Sequence, residues 1–147
     1  MGPVRLPTTG IVYLDTQAVI YSVEKHPKYA HALRPLWVAA KGGSLRLVTS
    51  ELTLLETLVG PFKNGDSILA AAYERLLGSV DLNMLPVTLA VLREAARLRS
   101  STSLRTPDAI HLATAMIAQC VCCVTNDMAF RKVPGIQVLL IDSLIAP

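Results

Sequence analysis

The sequence predicts an α/β domain in which helices cover both faces of one central parallel β-sheet. Three observations carry that prediction. Short apolar runs alternate with helical patterns along the whole chain. The strand candidates are near-uniformly apolar, as strands buried on both faces are, rather than alternating polar with apolar. The 147 residues, 52% hydrophobic and 17% charged with a mean hydropathy of +0.45, suffice for one well-buried core and exclude a disordered chain.

The elements follow in order. The first strand is Ile11 to Leu14, stopped by Asp15. Thr16 to Val23 reads as a short helix. Pro27 separates it from a second helix, Tyr29 to Lys41, interrupted near Pro35 and closed by Gly42-Gly43. Leu45 to Thr49 is the second strand. Ser50 caps a helix from Glu51 to Val59, which Gly60-Pro61 ends. After the polar turn Lys63-Asn64-Gly65-Asp66, Ser67 to Leu77 is a helix whose Ile68, Ala72 and Leu76 share a face. Val80 to Leu85 is a weaker strand. Val87 to Arg99 is amphipathic, with Leu89, Leu92 and Ala96 set apart from Arg93 and Arg97. Thr106 caps a helix that has Pro107 at its first position and runs to about Gln119. Val121 to Val124 is the fourth strand, Asn126-Asp127 open a short helical turn, and Ile136 to Ile141 is the last strand. No linker or repeat interrupts the series, so residues 1–147 read as one domain with an ordered core over about 10–142.

Several function classes drop out. The longest weakly polar stretch, Ala109 to Val124, carries His111, Thr114 and Gln119 and falls short of the ~20 apolar residues a membrane span needs. The opening residues lack a secretory apolar core and Leu6 breaks the myristoylation pattern, so a cytoplasmic protein with no membrane partner is expected. Cys120, Cys122 and Cys123 form neither a disulfide framework nor a zinc site; Cys120 and Cys122 are expected to fill the core from one face of a strand. No glycine-rich nucleotide loop is present.

Net charge is +3, from fourteen Lys and Arg against eleven Asp and Glu. If four acids gather in one site, the rest of the surface carries fourteen cations against seven acids, or +7. A negative hole in a basic surface suits a polyanion that meets metal ions inside the hole.

Ligand sites of parallel sheets lie beyond the carboxyl ends of the strands. Asp15 follows the first strand, Asp127 follows the fourth, Asp108 sits in the first turn of its helix, and Glu56 lies in the helix after the second strand. Each has a simpler role open to it: a cap for Asp15, dipole complementation for Asp108, a turn for Asp127, a capping box with Thr53 for Glu56. Together they point to more, because Glu56 lies among Leu52, Leu54, Leu55 and Leu58, and Asp108 precedes Ala109-Ile110. Buried carboxylates need partners, and hard divalent cations bound by oxygen supply them. Glu51 competes with Glu56, since five helical residues rotate by about 140° and only one of the two can face a common site. His111, three residues beyond Asp108, reads as a packed core histidine, and His26 and His31 as solvated.

The segments Ile11-Val12-Tyr13-Leu14-Asp15-Thr16, Val48-Thr49-Ser50-Glu51-Leu52-Thr53-Leu54-Leu55-Glu56, Thr106-Pro107-Asp108-Ala109-Ile110-His111-Leu112-Ala113-Thr114-Ala115 and Val124-Thr125-Asn126-Asp127-Met128-Ala129-Phe130 occur in an order that resembles the PIN domain, in particular the VapC-like toxin ribonucleases. The resemblance implies a PIN-like fold over nearly the whole chain. It implies that Asp15, Glu56 rather than Glu51, Asp108 and Asp127 are metal-binding and catalytic, with Mg²⁺ or Mn²⁺ as cofactor and Thr16 and Thr125 in support. The reaction implied is hydrolysis of RNA phosphodiesters by the toxin of a toxin–antitoxin pair, with a small antitoxin as partner. Arg105, Arg131 and Lys132, adjacent to these acids, are candidates for substrate phosphates. The excess of apolar residues predicts a homodimer. Two other readings stand beside this one: a PIN-like domain that binds RNA or protein without cutting, and a phosphoacceptor receiver domain. The receiver lacks its paired acids here, because Tyr13-Leu14 precede Asp15.

Overall fold

The computed structural model describes residues 5–145. Residues 1–4, part of the amino-terminal reading, and 146–147, the end of the expected domain, lie outside the described residues. Five strands, β1 (Gly10–Leu14), β2 (Leu45–Ser50), β3 (Asn83–Leu85), β4 (Cys122–Thr125) and β5 (Val138–Leu140), form one sheet in the order β3-β2-β1-β4-β5. Every pairing is parallel. The helices are α1 (Thr16–Val23), α2 (Tyr29–Lys41), α3 (Glu51–Asn64), α4 (Ser67–Leu77), α5 (Leu89–Ser101) and α6 (Thr106–Ile117). Met128–Lys132 and Ile141–Leu144 are 3₁₀ turns.

Strand pleating explains the two cores. Val12 and Leu14 of β1 point into a cluster with Ala18, Leu33, Leu36, Leu58, Tyr73 and Leu77, so α1 to α4 cover that face. Tyr13 points the other way, into a cluster with Val91, Leu98, Leu104 and Leu112 of the α5–α6 side. Gly10 opens β1 at φ +100°, where a Cβ would stand 2.8 Å from Val121 Cγ1, so glycine alone fits.

The strand order reverses between β1 and β4. Chain connections leave that point in opposite directions, opening a crevice at the carboxyl edge.

The helix patterns need correction in several places. The helix after β2 runs through Gly60-Pro61 and stops at Gly65, whose left-handed φ of +66° lets Asp66 N–H reach the Pro61 carbonyl and Gly65 N–H the Phe62 carbonyl. Pro35 likewise lies inside an unbroken α2. In α4 the buried face is Ala70, Tyr73 and Leu77, with Ile68 84% exposed. In α5 it is Val91, Ala95 and Leu98, leaving Leu89 and Leu92 in solvent. Both helices are apolar on more than one side, so a three- or four-residue spacing picks out two faces at once. Arg105 rather than Thr106 stands at the cap of α6. The strands β3 and β5 are shorter than expected, and Val80 is fully exposed. The cysteines do fill the interior, but Cys122 packs on the α1–α4 side and Cys120 and Cys123 on the other. Among the described residues no helix is long and apolar enough to cross a membrane.

Candidate active site

At the crevice, local chain rules place the acids. Asp15 ends β1 and caps α1, its Oδ1 accepting from Ala18 N–H at 3.0 Å. That cap fixes the carboxylate, and the Thr125 hydroxyl at the end of β4 donates to the other oxygen. Thr125 Oγ1 also accepts from Asp127 N–H at 2.9 Å, and Asp127 Oδ1 caps the following turn through Ala129 N–H at 2.9 Å. Asp108 is carried in the first turn of α6. For Asp15 and Asp127 the simpler roles, cap and turn former, are therefore real, and they hold the carboxylates in place. Asp15, Thr16, Glu56, Arg105, Asp108, His111 and Asp127, together with Gln17, Ile20 and Phe130, line one pocket of about 300 Å³.

Charge inside this pocket is poorly compensated. Burial raises the Asp15 carboxyl to about 6, against the hydrogen bonds from Thr125 and Ala18 and with repulsion from Asp127. Asp108 is also raised, first by burial and then by Asp127; Arg105 Nε, 3.6 Å from Asp108 Oδ2, offsets part of this. Glu56 behaves oppositely. Burial pushes it up, but hydrogen bonds from His111 and Thr16 outweigh that and hold it below the ordinary carboxylate value.

The leucine neighbours do not leave Glu56 without polar partners. Leu55 is exposed and Leu52 and Leu54 are only partly buried, while Glu56 Oε1 accepts from Thr16 Oγ1 at 2.7 Å and lies 2.7 Å from His111 Nε2. The capping box with Thr53 is absent, because Ser50 caps α3 through Leu52 N–H. Glu51 points away from the pocket and accepts from Val87 N–H at 3.0 Å. His111 is packed as expected, at 3% exposure, yet its ring belongs to the site, which the expectation missed. Its position one helical turn after Asp108 was the available signal. Of the three cations, Arg105 reaches the pocket. Arg131 and Lys132 lie exposed outside its lining, and Lys132 Nζ donates to Ser103 Oγ at 3.0 Å.

The sequence profile of the PIN domain family matches residues 12–136. The chain belongs to the PIN domain family. Solved structures similar to this PIN domain include VapBC2 from Rickettsia felis bound to a DNA fragment from its promoter, at TM-score 0.71 and 20% identity, covering 88% of this chain and 98% of that one. A toxin–antitoxin complex from Klebsiella pneumoniae aligns at TM-score 0.66 and 22% identity, over 88% and 97%. VapBC-1 from nontypeable Haemophilus influenzae aligns at 0.63 and 19%, over 90% and 98%. Among curated proteins, none matches the sequence significantly.

The donor chemistry of this PIN domain suits a hard divalent cation. Its pocket offers carboxylate oxygens, and burial with mutual repulsion leaves Asp15 and Asp108 short of positive charge. Among the described residues, no three His, Cys, Asp or Glu side chains form a ready-made ligand group.

Proposed function

We propose that this PIN domain is a metal-dependent endoribonuclease and the toxin of a toxin–antitoxin pair. The observation that carries the reading is the meeting of Asp15, Glu56, Asp108 and Asp127 on one pocket at the strand-order reversal. Asp15, Asp108 and Asp127, with Glu56 directly or through water, are the residues that would hold Mg²⁺ or Mn²⁺. Such an ion, when bound, makes a water nucleophilic at neutral pH and stabilises the leaving oxygen of a phosphodiester. Thr125 keeps Asp15 and the Asp127 backbone in register, and Thr16 keeps Glu56 turned to the pocket. Asp127, on the pocket wall, would serve as a ligand or orient the attacking water. Arg105, exposed at the rim, is the first contact for a substrate phosphate, and Arg131 and Lys132 serve phosphates further along the RNA.

The likeness to toxin–antitoxin complexes supports a small antitoxin as partner. Leu55, Val59 and Phe62 repeat along the outer face of α3, with Phe62 68% exposed. These, with Leu89 and Leu92 on α5, support association through helix faces, with the antitoxin and as a homodimer. The expected compartment is the cytoplasm. The test is incubation of pure protein with mixed RNA, with Mg²⁺, with Mn²⁺ and with chelator. Internal cleavage that needs metal and disappears in Asp15→Asn is the expected result. RNA left intact under all conditions, or cut equally by Asp15→Asn, overturns the reading.

A further inference from the structure

The nuclease reading assigns Glu56 to the metal, and the structure shows what holds Glu56. Tyr13 lies wholly inside the α5–α6 core, and its phenol oxygen is 2.6 Å from His111 Nδ1. On the far side of the same ring, Nε2 is 2.7 Å from Glu56 Oε1 and 3.2 Å from Thr16 Oγ1, whose hydroxyl makes its shorter contact, 2.7 Å, with the same carboxylate oxygen. The three side chains come from β1, α6 and α3, so the chain of contacts runs from the core beneath the sheet edge to the pocket wall.

Only one arrangement of protons satisfies both contacts of a neutral ring. The phenol donates to Nδ1, which leaves the proton on Nε2, where it is donated to the carboxylate. With the proton on Nδ1 instead, the Nε2 lone pair would face a carboxylate oxygen at 2.7 Å. Thr16 Oγ1 donates to the same oxygen, which marks Oε1 as an acceptor, so that arrangement sets two lone pairs against each other. Thr16 gives Oε1 a second donor. Both donors fall on Oε1, and among the described residues no hydrogen bond goes to Oε2.

We propose that Tyr13 and His111 are positioning residues: the buried phenol fixes the histidine as its Nε2–H tautomer, and the imidazole clamps one oxygen of Glu56 so that the other is presented to the metal. This rests on the nuclease reading for its purpose, but its first half can be read without metal or RNA. A glutamate 29% exposed at its side chain has three torsions to restrain, and the clamp removes that freedom before a ligand arrives.

Long-range ¹H–¹⁵N correlation on the metal-free full chain at pH 8 reads the ring directly, with His111→Gln identifying its signals among the three histidines. The wild type is expected to show Nε2–H, and Tyr13→Phe, which removes one hydroxyl, a mixture of tautomers. Mn²⁺ affinity is expected to fall roughly 10-fold in Tyr13→Phe and in His111→Leu. His111→Gln, whose amide can still donate to Glu56, is expected to recover most of it. Melting curves establish which variants fold; where His111→Leu does not, the other two decide. A wild-type ring protonated at Nδ1 or at both nitrogens overturns the proposal, as does a folded Tyr13→Phe with unchanged tautomer and Mn²⁺ affinity. A wild type that binds no Mn²⁺ and cuts no RNA, yet shows the Tyr13-dependent tautomer, overturns the nuclease reading and leaves the ring assignment standing.

Discussion

Replacing Asp15 with asparagine should remove activity and make the protein more stable. Asp15 is buried at the end of β1 with its carboxyl raised from 3.8 to about 6. A raised acid binds protons more tightly when folded than when unfolded, so its contribution to stability falls as pH rises from about 4 and reaches its full penalty above about 6. That rise corresponds to about 3 kcal/mol as an upper bound at pH 7. Asparagine carries no charge, its Oδ1 can keep the cap to Ala18 N–H, and its amide can donate to Thr125 once that hydroxyl turns. Some of the gain is lost in that rearrangement, leaving about 1–3 kcal/mol, or a rise of several degrees in Tm. The measurement is thermal melting of both proteins in chelator from pH 4 to 8. The two curves should converge near pH 4 and separate as pH rises, with Asp15→Asn melting higher. An Asp15→Asn protein that melts below wild type at pH 7.5, or a gap that does not grow with pH, refutes the reasoning about buried charge.

Glu51→Gln should lose about 0.3–1 kcal/mol of helix-dipole interaction and keep wild-type RNA cleavage, whereas Glu56→Gln should stay folded, bind Mn²⁺ less well and cut orders of magnitude more slowly; the opposite assignment of activity would sink the choice of Glu56. Thr125→Val keeps the shape of a fully buried side chain but removes the donor to Asp15 and the acceptor for Asp127 N–H, so a loss of about 1–3 kcal/mol is expected in chemical denaturation, and an unchanged midpoint would contradict it. Sedimentation equilibrium at high micromolar concentration should show self-association, and a strict monomer would argue against a homodimer.

All five strands and six helices are legible in the sequence, β1 and β4 most clearly because each is a short apolar run next to a polar residue, and β3 least because Asp81 and Asn83 interrupt its run. What failed was narrower. Gly60-Pro61 looks like a helix end, but the burial of Leu58 and Pro61 sustains the turn, and the Asn64-Gly65 pair that ends α3 reads from sequence only as a turn. The buried faces of α4 and α5 are not legible locally, because apolar residues occupy more than one side of each helix and choosing among the faces needs the sheet they pack on. At the site, Asp15, Asp108 and Asp127 were visible from their places at strand ends and a helix start. Glu56 could be selected over Glu51 only by resemblance. The tie from Tyr13 through His111 to Glu56 joins positions 98 and 55 residues apart, and no local pattern encodes it.

The sheet edges have a consequence for how copies of the chain can meet. A long flat edge strand offers a row of free amides and carbonyls that invites another chain to add on. Here both edges are three-residue strands, β3 and β5. Pro86 directly follows β3, so the next residue has no N–H to offer, and β5 turns at once into the 3₁₀ segment from Ile141 to Leu144. Neither border has the length to template an intermolecular ladder. The aggregation route open to many parallel sheets is thereby closed in the folded state, and a chain this apolar can expose sticky helix faces to chosen partners without its sheet polymerising.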